Sequence, residues 1–283
     1  MSSGTESHEK YPLAQSEEEM QRLALQADVL HTEATRWLFE RAGLRGGMRV
    51  LDVGCGAGDV AMLAAELVGQ NGSVVGIDSS ATAIDTARLR ADRAGLANVS
   101  FIQADVADYV HLDEVDAIVG RSVLMYLRDP VSVVRSLLRP LRPGGIVAFR
   151  EVIIAEPWLE AAPRSQLVDE LNTWIMAYAV PAIQDMGVDV RLGLHIHQVF
   201  RDAGLATPEM WLHAPIGCEA GWRGWEYVGY QIRAASSLVA RAGVRLPAEL
   251  DPDTLGSRIR DEVLQQGGVL RIQRGVQAWT RKL

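Results

Sequence analysis

The chain has 283 residues, of which 48% are hydrophobic and 23% charged, and it carries a formal net charge of -8 at pH 7. No apolar run reaches the roughly 18 residues that a membrane span requires, so no membrane partner is expected. The acidic balance argues against a nucleic-acid substrate, because phosphate backbones are bound by basic surfaces, and a small neutral or cationic ligand fits better.

Cysteine and lysine are both scarce. The two cysteines, Cys55 and Cys218, form no metal-binding pattern, so we predict no metal site. Lys10 and Lys282 lie near the two ends of the chain, which excludes an interior Schiff-base lysine or a phosphate-binding P-loop lysine. The first residues lack the basic flank and apolar stretch of a secretion signal, so we expect a cytoplasmic protein.

Residues 1–45 are predicted to form an N-terminal arm and two helices. Ser16 and Glu19 form a capping box ahead of a predicted helix at 17–29. A second helix is predicted at 31–43, and both helices should pack beside the core.

Residues 46–155 alternate between short β-rich runs and helical stretches. This alternation predicts an α/β core, in which a parallel sheet is covered by helices on both faces. The predicted strands lie at 48–53, 73–77, 99–102, 115–119 and 145–153, and the predicted helices at 58–69, 80–94 and 130–139.

The alternation stops after residue 155. Residues 156–205 are predicted to form a helical lid. The remainder, 206–283, is predicted to supply two last strands, at about 207–214 and 271–281, with a helical insertion at 219–266 between them.

A glycine-rich turn, within the sequence VLDVGCGAGDV at 50–60, follows the first predicted strand. Glycines permit positive φ and close approach of a ligand, and the helix that starts after them offers free N–H groups. Asp78 closes the next strand, 20 residues after Gly58, where a carboxylate can accept hydrogen bonds from both ribose hydroxyls. The spacing predicts a nucleotide-binding site.

The same turn also fits a dinucleotide enzyme, because Gly56, Gly58 and Ala61 satisfy the relaxed glycine fingerprint. Asp52, just ahead of the glycines, would crowd a pyrophosphate but suits a ligand with an ammonium group. Asp105, after the third strand, can accept the amino group of adenine. The sequence also has no Tyr-x-x-x-Lys pair, so an NAD-dependent oxidoreductase is the less favoured alternative.

Five segments between residues 48 and 152 resemble the ordered motifs of class I S-adenosylmethionine-dependent methyltransferases. They are VLDVGCGAGDV, VVGIDSS, FIQADVAD, VDAIVGRSVLMYL and LRPGGIVAFRE. The resemblance implies a Rossmann-like, seven-stranded, mostly parallel sheet in a three-layer αβα arrangement, with N-terminal helices and helical lid insertions. Its last strand would run antiparallel between the fifth and the sixth. The implied cofactor is S-adenosyl-L-methionine, and the implied partner is a small-molecule acceptor.

The resemblance also implies which residues bind the cofactor. Carried over by position, it places Asp52 near the amino group of the methionine moiety, Asp78 on the ribose hydroxyls and Asp105 beside the adenine. The full implied set is Asp52, Gly54, Cys55, Gly56, Gly58, Asp78, Ser79, Ala104, Asp105, Val106 and Arg121.

The candidate catalytic bases are Glu151 and either His195 or His197, although methyl transfer from a sulfonium needs alignment more than proton transfer. Glu151 lies at the carboxyl end of the fifth predicted strand, where open α/β sheets place their sites. His195 lies beside the apolar stripe of a predicted helix at 192–203. Each has a structural alternative, since Glu151 can form an ion pair or cap a helix and His195 can be a surface or packing residue.

Six of the seven tryptophans lie after residue 150, in the segments predicted to cover the ligand edge. Aromatic faces can enclose a planar acceptor or attract a cation, but they can equally fill the core of a lid. The predicted acceptor contacts are Tyr11, Met125, Trp174, Tyr178, Trp222 and Trp225.

The sequence therefore predicts a methyltransferase, acting as a monomer or homodimer on a small aromatic or heteroaromatic acceptor. The nucleophile is left open among nitrogen, oxygen and carbon, and the setting is predicted to be bacterial specialised metabolism. A domain that binds S-adenosylmethionine without catalysis is a further alternative.

Overall fold

The computed structural model describes residues 25, 29, 32–110, 113–241 and 243–283. Tyr11, the capping box and nearly all of the helix predicted at 17–29 lie outside this part of the chain. The first described helix, α1, spans Thr32–Ala42 and agrees with the helix predicted at 31–43.

A seven-stranded sheet of order β3-β2-β1-β4-β5-β10-β7 forms the centre of the molecule. Strand β10 runs antiparallel to both of its neighbours, β5 and β7, whereas the pairs from β3 through β5 are parallel. The predicted strand topology is confirmed. The strands are β1 Arg49–Val53, β2 Ser73–Asp78, β3 Val99–Gln103, β4 Val115–Arg121, β5 Leu141–Val152, β6 Glu160–Ala162, β7 Glu209–His213, β8 Ile216–Gly217, β9 Val269–Arg271 and β10 Gly275–Arg281.

Helices cover both faces of the sheet, as the three-layer prediction requires. The remaining helices are α2 Asp59–Val68, α3 Ala81–Arg93, α4 Pro130–Leu137, α5 Gln166–Trp174, α6 Val180–Asp185, α7 Leu192–Asp202, α8 Gly224–Ala240 and α9 Pro252–Gln265. Helices α1, α2 and α3 share a hydrophobic core with one face of the sheet, and α4 and α7 share a second core with the other face.

A small second sheet, of order β6-β9-β8, lies outside the seven-stranded sheet and was not predicted. Residues 156–205 were predicted to form a helical lid, but they contain β6, which pairs with β9. The single strand predicted at 271–281 is divided between β9 and β10, which belong to different sheets. Strands of two or three residues are too short to leave a periodic signal in the sequence.

The helical segment after β6 contains a π-helical turn, Ile175–Ala179, between α5 and α6. Pro181 occupies the first turn of α6 and has no backbone N–H to donate. The N–H of Val180 bonds the carbonyl of Ile175, five residues back. Turns of this kind are frequent at functional sites.

Among the described helices, none is both long enough and apolar enough to cross a membrane.

The close packing of the sheet gives a direct test of this fold. A Cβ added at Gly120 on β4 would lie 2.5 Å from the Phe149 ring, so Gly120→Ala should lower the free energy of unfolding by about 1–3 kcal/mol. At Gly46 the nearest atom is 3.8 Å away, so Gly46→Ala is the matched control and should change stability by less than about 0.5 kcal/mol. Urea unfolding measures both variants, and equal effects would contradict the packing.

Candidate functional site

The glycine loop after β1 has the backbone conformation that its sequence predicts. Gly54, Gly56 and Gly58 have φ values of 66°, 52° and 89°, a region that other residues rarely adopt. A Cβ on Gly54 would also lie 2.4 Å from Val123, in the segment that follows β4. The loop is therefore fixed both by its own dihedral angles and by a neighbouring strand end.

Asp78, at the end of β2, connects this loop to the start of α3. Its carboxylate accepts hydrogen bonds from the Gly56 N–H and the Ser80 N–H, both at 2.9 Å. The Ala104 N–H, after β3, donates to the backbone carbonyl of Asp78. Three strand ends consequently meet around Asp78, and its half-buried carboxylate has lone pairs left for ligand hydroxyls.

Asp52 is completely buried just ahead of the glycines. Burial raises its pKa well above the ordinary value, and the positive charge of Arg121 and the Ala61 N–H only partly offset this effect. Within the described residues, neither carboxylate oxygen accepts a hydrogen bond of normal geometry, so the Ala61 N–H is only a weak partner. A buried carboxylate without a partner is costly, so the site fits a cationic group such as the ammonium of a ligand.

Arg121, the last residue of β4, lies on the same face of the sheet as Asp52. Its guanidinium is 3.4 Å from Asp59, which also pairs with Arg90 at 2.6 Å. Arg121 is thus held in an ion pair, which could fix its position without any ligand. Burial lowers the pKa of Arg121, while Asp59 and Asp52 raise it.

Other predicted cofactor residues contribute in different ways. The side chain of Cys55 is buried against Gly76, so only the backbone of Cys55 is available to a ligand. Burial also raises the pKa of its thiol. Ser79 is exposed, and its carbonyl accepts from Gln103. Asp105 accepts a hydrogen bond from the Ala107 N–H, in a turn after β3 that does not continue into a helix.

Glu151, on β5, is completely buried. Its Oε1 accepts hydrogen bonds from the N–H groups of Val123 at 3.0 Å and Leu124 at 2.9 Å. Burial raises its pKa to about 7, with these backbone bonds and the charge of Arg150 acting in the opposite direction. Glu151 therefore holds the segment after β4, a role that does not require contact with the acceptor.

His195 lies near the start of α7, where the helix is kinked. Its Nε2 is 2.7 Å from Asp189 Oδ2, and the side chain of His195 is 35% exposed. The Asp189 N–H donates to the carbonyl of Met125, which is itself buried after β4. The segments that follow β4 and β5 are thereby joined beside an accessible histidine.

The predicted aromatic contacts do not form one cluster. Trp225 is buried and donates its indole N–H to the Glu219 carbonyl, and Trp222 packs edge-on against it at 5.2 Å. This pair fills space over the small sheet and α8. Trp174 is buried and Tyr178 is 47% exposed, with ring centroids 6.4 Å apart.

A narrow apolar cavity beneath the lid was missed by sequence reasoning. Three polar groups, from Tyr227, Gln231 and Gln273, accompany its apolar lining, and the space is no larger than about one water molecule needs. The aromatic enrichment after residue 150 was the available signal, but it did not single out Trp158. The lining residues are Trp158, Leu159, Ile175, Tyr227, Val228, Gln231, Ile232 and Gln273.

The strand order, the antiparallel β10 and the glycine loop after β1 together define the class I methyltransferase fold. A family model described as a methyltransferase domain matches residues 44–204, more than half of the chain. The chain therefore belongs to the methyltransferase family, and its methyl donor is S-adenosylmethionine. This membership favours the methyltransferase over the oxidoreductase alternative.

Curated relatives and a solved structure agree with this membership. A ubiquinone biosynthesis O-methyltransferase of Acinetobacter baumannii (strain AYE) is 28% identical over 177 residues, covering 62% of this chain and 70% of the relative. A trans-aconitate 2-methyltransferase of Azoarcus sp. (strain BH72) is 38% identical over 119 residues, 42% and 45% of the two chains. A SAM-dependent methyltransferase from Aquifex aeolicus shares the fold, with a TM-score of 0.51, 21% identity and coverage of 69% and 89%.

Asp78 can be tested by substitution. Asp78→Asn should weaken S-adenosylhomocysteine binding by about 10- to 100-fold, because a charged hydrogen-bond acceptor is lost from the ligand and from the Gly56 N–H. Titration calorimetry measures the affinity. Asp85→Asn, at an exposed position on α3, is the control and should bind like the wild type; unchanged affinity of Asp78→Asn would remove this assignment.

The raised pKa of Glu151 predicts a pH effect on stability. Because the folded pKa of about 7 lies above the ordinary value of 4.5, ionisation opposes folding, and this contribution to stability falls as pH rises from 4.5 to 7. Glu151→Gln should therefore gain on the order of 2 kcal/mol relative to wild type between pH 5 and pH 8. Urea unfolding at both pH values checks this, and a pH-independent difference would contradict it.

Proposed function

We propose that the protein transfers a methyl group from S-adenosylmethionine to a hydroxyl oxygen of a small aromatic or heteroaromatic acceptor. The contact between His195 and Asp189 carries this proposal, because it provides a proton acceptor beside the segment that follows β4. The Acinetobacter relative, named as an O-methyltransferase, supports oxygen as the nucleophile.

The cofactor would be held by the loop and the carboxylates around it. Asp52 suits its ammonium group, Asp78 its ribose hydroxyls and the segment at 104–106 its adenine ring. When bound, S-adenosylmethionine supplies an electrophilic methyl group on a sulfonium. The protein has then to orient the nucleophile in line with that methyl group and to exclude water.

His195 is suited to accept the proton of an acceptor hydroxyl. A carboxylate partner requires a hydrogen on Nε2, so the ring donates to Asp189 and leaves the Nδ1 lone pair available. Asp189 also stabilises the imidazolium that forms. General-base assistance of this kind contributes about 100- to 10,000-fold to rate.

Glu151 is assigned to positioning and not to proton transfer. It is completely buried, and its Oε1 is already bound by two backbone N–H groups. These bonds fix the segment at 122–126, whose Ser122 has a positive φ of 50°. The segment includes the carbonyl of Met125, which accepts a hydrogen bond from the Asp189 N–H. Glu151 therefore helps, through this segment, to position Asp189 and with it His195.

The metabolic role, location, oligomeric state and domain boundaries of the protein stay predictions. This includes specialised metabolism, cytoplasmic location, a monomer or homodimer, and the division into a core at 46–155 with lid segments at 156–205 and 219–266. The names of the two relatives point elsewhere, to ubiquinone biosynthesis and to trans-aconitate. Trans-aconitate therefore belongs in an acceptor screen beside aromatic alcohols.

The acceptor screen also tests whether His195 is the catalytic base. Catechols, phenols, hydroxy acids and trans-aconitate are incubated with S-adenosylmethionine, and methylated products are detected by mass spectrometry. For any product-forming acceptor, His195→Gln should lower kcat by about 100-fold or more and leave S-adenosylhomocysteine affinity unchanged. His197→Gln, on the same helix, is the control. Equal losses of kcat in the two variants would exclude His195 as the base. Cofactor binding without product from any acceptor would favour a domain that binds S-adenosylmethionine without catalysis.

A further inference from the structure

Helix α3 packs directly against the glycine loop. A Cβ on Gly58 would lie 3.1 Å from the Cβ of Ala87, so the helix and the loop are in close contact at this point. Arg90 follows Ala87 by three residues, and both therefore lie on the same face of α3. This spacing places Arg90 beside the loop residues on either side of Gly58.

Arg90 binds the loop at two points. Its Nη1 donates a hydrogen bond to the backbone carbonyl of Ala57 at 2.7 Å, and its Nη2 donates to the carboxylate of Asp59 at 2.6 Å. Hydrogen bonds with a charged donor are roughly twice as strong as neutral ones. Because Ala57 and Asp59 flank Gly58 in the chain, Arg90 holds both sides of this left-handed glycine from a separate helix.

The contact with Ala57 fixes the orientation of one peptide group. In a planar trans peptide, the carbonyl and the N–H that follows it point in opposite directions. The carbonyl of Ala57 is bound by Arg90, and the N–H of Gly58 donates to the Cys55 carbonyl at 2.9 Å. Both polar ends of this peptide are thus bound, so it can turn over only if both hydrogen bonds break.

Asp59 extends the contact from α3 to the sheet. One oxygen of its carboxylate binds Arg90, and the other lies 3.4 Å from the guanidinium of Arg121 at the end of β4. The side chains of Arg90 and Asp59 are 35% and 22% exposed, so water screens this pair only in part. The charge of Arg121 also acts on Asp52, at the end of β1. A row of charges consequently connects α3, the start of α2 and the two strand ends beside the loop.

Asp78 and Arg90 hold successive residues of the loop. The carboxylate of Asp78 accepts hydrogen bonds from the N–H groups of Gly56 and Ser80, and Arg90 binds the next loop residue, Ala57. The proposed function assigns Asp78 to the ribose hydroxyls, whereas both of these contacts of Arg90 are to the protein. An effect of Arg90 on a ligand therefore has to pass through the loop.

We propose that Arg90 is a positioning residue for the methyl donor, which holds the Ala57 carbonyl and the Asp59 carboxylate so that the glycine loop is ordered before the donor binds. This inference rests on the cofactor site of the proposed function and does not depend on which acceptor is methylated. Without Arg90, the loop keeps its glycines and its contact with Asp78. Residues 57–59 would then have to be ordered by the ligand, which lowers the affinity.

The first measurement follows the loop in the full chain without ligand. Hydrogen exchange of the backbone, read by mass spectrometry on peptides covering residues 54–60, should be about threefold or more faster in Arg90→Gln than in wild type. Arg88→Gln is the matched control. Arg88, on the same helix, also binds a backbone carbonyl and a carboxylate, those of Phe101 at 2.9 Å and Asp85 at 3.1 Å, but neither belongs to the loop. Equal exchange rates in the two variants would overturn the proposal.

The second measurement is the affinity for S-adenosylhomocysteine, by titration calorimetry at a temperature at which each variant is folded. Arg90→Gln should bind about 5- to 30-fold more weakly than wild type, because two charged hydrogen bonds to the loop are lost. Arg90→Lys keeps the charge and should recover part of this affinity. Arg88→Gln should bind like the wild type.

The outcomes distinguish this inference from the proposed function. Wild-type affinity in Arg90→Gln, or equal losses in Arg90→Gln and Arg88→Gln, would overturn the proposal and leave the cofactor site in place. If Arg90→Gln does not fold, Arg90→Lys is compared with Arg88→Lys, and wild-type affinity in Arg90→Lys would then overturn the proposal. Absence of S-adenosylhomocysteine binding by wild type would contradict the proposed function, and this inference with it.

Discussion

Buried charge at the carboxyl-terminal edge of the sheet is the constraint around which the site is built. Asp52, Arg121 and Arg150 leave the same face of three neighbouring strands, where apolar side chains would be less costly occupants. Burial raises the pKa of Asp52 and lowers those of both arginines, so each charge is held against its own desolvation. Perturbation of this kind is concentrated at functional sites. The glycine loop shapes the proposed cofactor site, and Asp52 and Arg121 are the buried charges that lie beside it.

Features that depend on local sequence were predicted well. The glycine loop is an example, because the positive φ of Gly54 and Gly58 is a property of the residues themselves. The strands from β1 to β5 were recognised from apolar runs separated by helical stretches, and the antiparallel β10 came from the family resemblance. The β6-β9-β8 sheet could not be found in this way, because Glu160 pairs with Arg271 far along the chain and neither strand has a pattern of its own.

The direction of a side chain was the harder prediction. Trp225 and Trp158 are equally buried tryptophans in the second half of the chain, yet one packs over the small sheet and the other lines the cavity. Only the fold distinguishes them. The partner of His195 was not predicted, although Asp189 lies only six residues earlier, where a kinked helix start brings the two together. Glu151 was correctly placed at a strand end, but its backbone partners in the segment after β4 depend on the neighbouring strand.

The net charge of -8 suggested a neutral or cationic acceptor, but it does not exclude an acid such as the trans-aconitate that one relative is named for. Net charge and the charges of a binding site act over different distances. Net charge governs long-range steering and is screened within about 8 Å at physiological salt, whereas a binding site responds to the charges that touch the ligand. An acidic surface is therefore compatible with an anionic acceptor. Methyl transfer also removes the positive charge of the sulfonium, so an anionic acceptor would be attracted more strongly before the reaction than after it, which would favour release of the product.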